Sequence, residues 1–287
     1  MVSVLIVNWN TRDLLRRCLT SLSRNPCSSG QEVIVVDNAS ADGSAEMVRT
    51  EFPEVVLLAE TRNRGYAAGN NLAFARAKGQ RLLTLNPDTE VLARALDAAV
   101  AALEASPRRG CVGACLVGPD GAVQRSVRGF PTLLGVAGDL TGLADRFPKS
   151  GWASYRLPAF DYSVGQPAPQ PMGTFLLFKR EALAAIGDPA APFDLQFPIF
   201  FNEVDLLLRL ERAGWETWYE PAARVLHHGG ASTRQVRKSM IWESHRSLLR
   251  FLRKHRLVTP WAYPVVGLAV WVGALVRARG YHAGFRP

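Results

Sequence analysis

The sequence predicts an α/β fold: a mostly parallel central sheet with helices on both faces, of the Rossmann-like nucleotide-binding kind, followed by a C-terminal helical tail. Three observations predict it. Short apolar runs rich in β-branched residues alternate with amphipathic, helix-length segments, the pattern of a sheet buried on both faces. The early apolar runs end in polar residues, Asn8-Trp9-Asn10, Asp37-Asn38 and Asn86-Pro87-Asp88, and in an open α/β sheet such endings converge on one crevice. The chain then closes with a strongly basic stretch followed by an uncharged one.

Residues 2–7 are the first strand; no basic segment precedes them, so they are not read as a signal peptide. Thr11 caps a helix reaching residue 23, with Leu14, Leu15, Cys18, Leu19 and Leu22 as its apolar stripe. Residues 32–36 and 55–58 are the next strands, separated by a helix over 44–51. A glycine-bearing loop over 62–70 leads to a helix over 70–78 and a fourth strand over 81–85. Pro87 stops that strand by removing a ladder donor and pushing Asn86 toward an extended conformation. Asn86 and Asp88 are left at its mouth. A carboxylate there can hold a hard divalent cation, and the cation a diphosphate. The same residues also fit an Asx-type turn capping a helix that starts near Glu90. The first strand is not followed by GxGxxG, which weakens a dinucleotide reading.

An Ala-rich helix over 90–105 and a strand over 111–117 come next, then a turn at Gly118-Pro119-Asp120-Gly121. Residues 130–170, rich in Gly, Pro and aromatics, predict a long loop that shapes an acceptor site. A strand over 172–179 and a helix over 180–186 precede an aromatic wall, Phe197, Phe200 and Phe201, around Asn202, Glu203 and Asp205. Acids opening the helix over 204–212 fit a capping role. Beside Phe200 and Phe201, Glu203 also fits a general base, because an apolar setting raises a carboxyl pKa. Short strands over 215–219 and 225–226 lead to His227-His228-Gly229-Gly230-Ala231-Ser232.

Lys plus Arg number 34 against 25 Asp plus Glu, a net charge of +9 that suits an anionic partner. Between Arg224 and Arg256 the only acid is Glu243. Cys18, Cys27, Cys111 and Cys115 lack zinc-type spacing and read as small core residues in a reducing compartment.

The stretches VSVLIVNWN, VIVVDNAS, NRGYAAGNN, LLTLNPDTEV, MGTFLLFKREAL, FFNEVDLLLRLERAGW and VLHHGGAS occur in one order. In that order the chain resembles the inverting family 2 glycosyltransferases of GT-A fold, in the branch with bacterial rhamnosyl- and galactofuranosyltransferases, over residues 2–233. The resemblance implies transfer of a sugar from a UDP- or dTDP-sugar to a glycan or polyprenyl-linked acceptor, with Mg²⁺ or Mn²⁺. It implies that Asn8, Trp9, Asn10, Asp37 and Asn38 hold the nucleoside, with Arg62 and Asn63 near the base or diphosphate. Gly69 and Asn70 would let backbone approach the nucleotide. Asn86 and Asp88 stand at the family's metal-binding acid pair, and Glu203 at its catalytic base. His227 matches the H-x-x-G-x-S histidine as a further metal ligand, and His228 matches less well. Asn202, Asp205, His228 and Trp215 are the acceptor-side candidates. Two departures stand out: Asp88 is the only charged member of its pair, and Asn202-Glu203 replaces the usual Glu-Asp. A base and a separate metal-binding acid are not the paired carboxylates of a hydrolase.

The expected organisation is a transferase domain over 1–235, with a nucleotide-sugar half over 1–118 and an acceptor half over 119–235, and a tail over 236–287. In that tail residues 257–276 carry no charge and lie between arginines. Their length approaches a bilayer span, but Pro260, Pro264, Gly267 and Gly273 favour a re-entrant or interfacial helix anchored by Trp261 and Trp271. A core helix or subunit contact is the alternative. The expected location is the cytoplasmic face of the plasma membrane. Two competing functions are a nucleic-acid-binding module using residues 224–256 and a non-catalytic sugar-nucleotide scaffold. The basic stretch has no reader motif, so no nucleic acid is expected.

Overall fold

The structure, a computed structural model, describes residues 1–229 and 237–279. The motif residues 230–233 and Arg234 lie outside them. Every residue of the first strand, β1 (Val2–Asn8), is buried, because helices cover both of its faces. After it come α1 (Arg12–Arg24), β2 (Gln31–Asp37), α2 (Ser44–Glu51), β3 (Val56–Ala59), α3 (Tyr66–Arg76) and β4 (Arg81–Leu85). The middle of the chain forms β5 (Thr89–Val91), α4 (Ala95–Glu104), β6 (Arg109–Val117), β7 (Val127–Arg128), α5 (Leu133–Thr141) and α6 (Leu143–Arg146). Next are β8 (Gln166–Pro167), β9 (Gln170–Pro171), β10 (Phe175–Lys179), α7 (Arg180–Ala184), α8 (Asn202–Arg212) and β11 (Glu216–His227). Two helices, α9 (Arg237–Lys254) and α10 (Tyr263–Arg279), close the described chain.

Among the described residues, nine strands form one sheet in the order β3-β2-β1-β4-β10-β6-β11-β5, with β8 also paired to β11. Strands β3, β2, β1 and β4 are parallel, β10 runs antiparallel between β4 and β6, and β11 returns parallel to β6. The pleat divides β1: Val2, Val4 and Ile6 join the core under α1, α2 and α4, while Leu5 and Val7 join the core under α3, α7 and α8. The register places Asn8 opposite Asp37 and Ile6 opposite Leu85, and β10 enters the sheet with Phe175 opposite Leu85. The ends of β1, β2 and β4, the start of β10 and the end of β11 therefore gather at one edge.

Several elements differ from expectation for local reasons. The helix expected from Glu90 starts at Ala95, because Arg94 takes a left-handed conformation (φ 62°) that a helix cannot run through. Thr89–Val91 instead pairs antiparallel with the end of β11, Thr89 opposite His227. Helix α3 starts at Tyr66 rather than at residue 70, behind Gly65 at φ 84°. Residues 130–170 are not a plain loop but hold α5, α6, a 3₁₀ turn (Gly151–Ala153) and β8. These pieces pack through glycine, where apolar periodicity gives no signal: a Cβ on Gly138 would overlap the Trp152 carbonyl. The two strands expected over 215–226 are one, β11, with a register shift between Glu220 and Arg224 around Pro221.

At the C-terminus, Phe251 of α9 packs with Phe197, Val204 and Leu208, the last two on α8. Helix α10 has 17 residues, about 26 Å at 1.5 Å each, short of a ~30 Å hydrocarbon core. Among the described residues no helix is long and apolar enough to cross a membrane.

One position tests how tightly α3 is wedged on the sheet. A Cβ on Gly69 would stand 2.8 Å from Val7 Cγ1. Gly69→Ala is expected to destabilise by about 1–3 kcal/mol, although alanine is the better helix former. Urea denaturation measures it, and a variant as stable as the parent would show that α3 and β1 have room to spare.

Candidate active site

Where β1 and β2 end side by side, two buried side chains pair. Asn8 Nδ2 donates to Asp37 Oδ1 (2.9 Å), Thr11 Oγ1 donates to Asn8 Oδ1 (2.6 Å), and the Ser40 amide donates to Asp37 Oδ2 (3.0 Å). Asn8 is thus held within the protein, and it fixes the Asp37 carboxylate at the crevice. Trp9 and Asn10 form the turn beyond β1, with Asn10 left-handed (φ 51°) and its Oδ1 accepting from the Ala41 amide. Asn38 braces the next loop, donating to the Gly65 carbonyl and accepting from the Arg64 amide.

At the end of β4, Asp88 is 7 % exposed. Its Oδ1 stands 3.8 Å from His227 Nε2 at the end of β11. Gln124 fixes this histidine from behind. The Gln124 amide nitrogen donates to the His227 carbonyl (3.0 Å), so its Oε1 is the atom 2.8 Å from His227 Nδ1. Nδ1 therefore carries the hydrogen, and the Nε2 lone pair faces Asp88. Burial lowers the His227 pKa, against the pull of Asp88, and keeps the ring neutral. A lone pair and a carboxylate facing each other at this distance suit a shared cation, with Gln124 as the outer partner that orients the imidazole. No cluster of three or more His, Cys, Asp or Glu fit for a metal occurs among the described residues. A cation here would take its remaining ligands from diphosphate oxygens and water, as Mg²⁺ commonly does.

The third component is Glu203, on the first turn of α8. Its side chain lies against Gly173, where a Cβ would stand 3.1 Å from Glu203 Cγ. Burial raises its pKa, only partly offset by a hydrogen bond from its own backbone. The loop before it is strained: Phe200 and Phe201 both take left-handed conformations, φ 59° and 58°. Tyr66 stands between the two sides of the site. Its hydroxyl donates to Asn86 Oδ1 (3.2 Å), with the Gly173 carbonyl 3.4 Å away as a second acceptor. Burial raises the Tyr66 pKa, and the nearby charges of Glu203 and Asp88 add to the rise.

Asn8, Asp37, Asn86, Asp88, Glu203 and His227 therefore gather along one edge of the sheet. Other expected residues are employed elsewhere. His228 turns away from Asp88 to Glu90, 2.9 Å from its Oε1. Asp205 is fully buried against Arg209 (2.9 Å), His255 (2.8 Å) and Lys254 (2.5 Å), which hold its carboxyl below the usual range despite burial. Trp215 precedes β11, at the far end from His227, and lines a cavity of about 260 Å³ with Arg108, Pro167 and Glu216. Gly69 faces Val7 and Asn38, and Asn70 donates back to the Tyr66 carbonyl within α3. Arg62 and Asn63 lie on the exposed loop before α3, with Asn63 accepting from the Gly65 amide. Asn202 accepts from the Glu203 amide (2.7 Å), and its own amide nitrogen is buried without a partner among the described residues. Tyr66 and Gln124 complete the site, and only the first sits in a recognisable stretch, directly after the loop glycine of NRGYAAGNN.

Asp205→Ala is expected to destabilise the fold by about 1–3 kcal/mol, since it removes a fully buried carboxylate that Arg209, Lys254 and the buried His255 share. Because the folded state depresses this carboxyl, the contribution is present near neutrality and is lost as pH falls through the acid range. Chemical denaturation of parent and variant at pH 7 and pH 4 measures both. A pH-independent gap between them would contradict the assignment.

A sequence model described as glycosyl transferase family 2 matches residues 3–187. The chain is 30 % identical over 271 residues to the N-acetylglucosaminyl-diphospho-decaprenol L-rhamnosyltransferase of Mycobacterium tuberculosis, covering 88 % of this chain and 84 % of that one. Its fold is similar to the mannosyltransferase PcManGT from Pyrobaculum calidifontis, solved with GDP-Man and Mn²⁺ (TM-score 0.59, 19 % identity, 99 % of this chain and 76 % of that chain). It is also similar to GalNAc-T7 solved with UDP, GalNAc and Mn²⁺ (TM-score 0.61, 17 % identity, 88 % and 47 %). With its strand ends, acid and histidine arranged on this sheet, the chain belongs to glycosyl transferase family 2 and is a glycosyltransferase of GT-A fold.

Proposed function

We propose that the chain transfers L-rhamnose, or a related sugar such as galactofuranose, from a dTDP- or UDP-linked donor to a hydroxyl of a polyprenyl-linked glycan, with inversion. The observation that carries this reading is the separation of roles. Glu203 is a lone desolvated carboxyl at the head of α8, behind an aromatic loop, while Asp88 and His227 form a different pair across Tyr66 and Asn86. The sugar and acceptor follow the name of the M. tuberculosis relative.

In this reading Glu203 takes the proton from the acceptor hydroxyl, whose oxygen forms the new bond to the anomeric carbon. The bond from that carbon to the diphosphate breaks on the opposite face, and the diphosphate leaves with the electron pair. Bound between Asp88 and His227, Mg²⁺ or Mn²⁺ would neutralise charge on the leaving diphosphate. Asp37, fixed by Asn8, faces the nucleoside. Asn86 offers its amide N–H groups to donor oxygens, because its own oxygen is engaged by Tyr66. The acceptor side is built from the loop over 196–203 rather than from Asp205, Trp215 or His228. In this reading the transfer takes place at the cytoplasmic membrane surface, where a lipid-linked acceptor would lie.

Glu203→Gln is expected to lower kcat by about 10²–10⁴-fold while leaving donor affinity within a few fold, read by calorimetry beside a transfer assay. In the parent, kcat falls on the acid side, because protonated Glu203 cannot act as base. The midpoint lies above the ordinary 4.5, since burial raises this carboxyl. A rate independent of pH down to 4.5 would remove Glu203 from the role.

Calorimetry with a set of dTDP- and UDP-sugars tests the metal pair. One dTDP- or UDP-sugar is expected to bind only with Mg²⁺ or Mn²⁺, and Asp88→Ala to abolish that binding. Gln124→Leu is expected to weaken Mn²⁺ affinity by about 10–100-fold through the loosened His227. Donor binding that survives Asp88→Ala would sink the cation assignment, and absence of binding to any donor would sink the transfer reading.

A further inference from the structure

Helix α10 is apolar all round, yet α9 covers only one side of it. On the covered side the Trp271 ring lies 5.6 Å from Trp242, the Tyr263 hydroxyl donates to the Leu249 carbonyl (3.1 Å), and Ala274 is buried. Trp271 is therefore an internal contact and not the surface anchor expected from its sequence position. The other side is bare: Val265 is 72 % exposed, Leu268 69 % and Val272 51 %, with Leu275 continuing the row, and Trp261, in the turn just before the helix, is 82 % exposed. Spacings of three and four residues put them in one stripe. A contiguous exposed apolar stripe of this kind marks an interaction surface.

The charges beside it identify the occupant. Arg246, Arg253 and Arg256 are exposed along α9 and its end, and Arg279 is exposed at the end of α10. None of the four forms an ion pair among the described residues. The one acid of the hairpin, Glu243, is already paired with Arg250 (2.7 Å), and Lys254 points inward to Asp194 and Asp205. An exposed apolar stripe on a hairpin that also exposes unpaired arginines fits a bilayer with anionic headgroups: side chains enter the acyl boundary while guanidiniums meet phosphates. A second copy of the chain fits poorly, because pairing the stripes would bring two sets of arginines together. Helix α10 is not long and apolar enough to cross a membrane.

We propose that the outer face of α10, with Trp261, Val265, Leu268 and Val272 as the inserted side chains, is a docking surface for an anionic lipid bilayer. The proposal deepens the reading of a lipid-linked acceptor. It is measured without donor or acceptor, so it stands or falls separately from the transfer chemistry.

The experiment is sedimentation of the full chain with vesicles of phosphatidylcholine, alone or mixed with phosphatidylglycerol. Binding to the mixed vesicles is expected, about tenfold or more weaker on phosphatidylcholine alone and weakened by salt. The double variant Leu268→Glu with Val272→Glu is expected to lose vesicle binding by at least about tenfold. Its circular dichroism and its transfer to a water-soluble acceptor are expected to match the parent, because both side chains are exposed. Arg253→Glu with Arg256→Glu is expected to bring binding on mixed vesicles down to the level on phosphatidylcholine. Vesicle binding unchanged in the apolar double variant, or none by the parent, would overturn the proposal. So would a dimer of the parent that the same double substitution dissolves, since a second copy would then cover the face.

Discussion

The Pro198 carbonyl accepts two backbone hydrogen bonds, from the amides of Tyr66 (2.9 Å) and Ala67 (3.2 Å). The first amides of a helix have no partner within it, and here the loop that leads into Glu203 supplies one. Gly65 permits the approach, since its left-handed turn brings a position where a Cβ would stand 3.2 Å from that same oxygen. This contact joins two distant parts of the chain. Tyr66 is thereby set beside Asn86 on the donor side, and Phe200 to Glu203 are set beside Gly173 on the acceptor side. Losing it would separate Glu203 from Asp88 and His227 without touching any of the three.

The two polar centres rest on different physics. Asp37 and Asp88 are placed by the sheet: parallel strands of matched register end together, and the polar residues at or just beyond their ends meet at the crevice. Glu203 is placed by a loop and a short reach of helix, and its environment rather than its neighbours' charges tunes it. Glutamate in place of the family's aspartate adds a methylene, which matters less in a site where Gly173 yields the space for it.

This division also explains what was legible in the sequence. The strands over 2–7, 32–36 and 81–85 announce themselves because both faces are buried, and their polar endings mark the crevice with them. Asp88 was readable for the same reason, through Pro87. Beyond Asp88 the site depends on contacts between distant residues. Thr89 and Glu90 look like a helix start until the end of β11 is beside them, and the His227-His228 doublet cannot be resolved until Gln124 and Glu90 each claim one ring. Asp205 shares a helix turn with Glu203 and looks equally functional in one dimension. Only the approach of Lys254 and His255, some 50 residues later, shows that it ties α9 to α8. Gln124 comes after an ordinary turn, and nothing in its surroundings marks it.

The pair Phe200 and Phe201 has a further consequence. Two successive bulky residues in the left-handed region cost about 1–3 kcal/mol each, and such a segment relaxes unless something outside it forbids relaxation. Here the restraint comes from α9: Phe251 packs on Phe201 with ring centroids 5.4 Å apart, Ser247 donates to the Ile199 carbonyl, and Arg250 donates to that of Gln196. Helix α9 thus acts as a splint on a spring-loaded loop beside Glu203. An enzyme assembled this way is not finished when its nucleotide-binding sheet has folded. Until α9 has emerged and closed behind the loop, a nascent chain lacks that restraint, so one that already holds its core has yet to fix Glu203 in place.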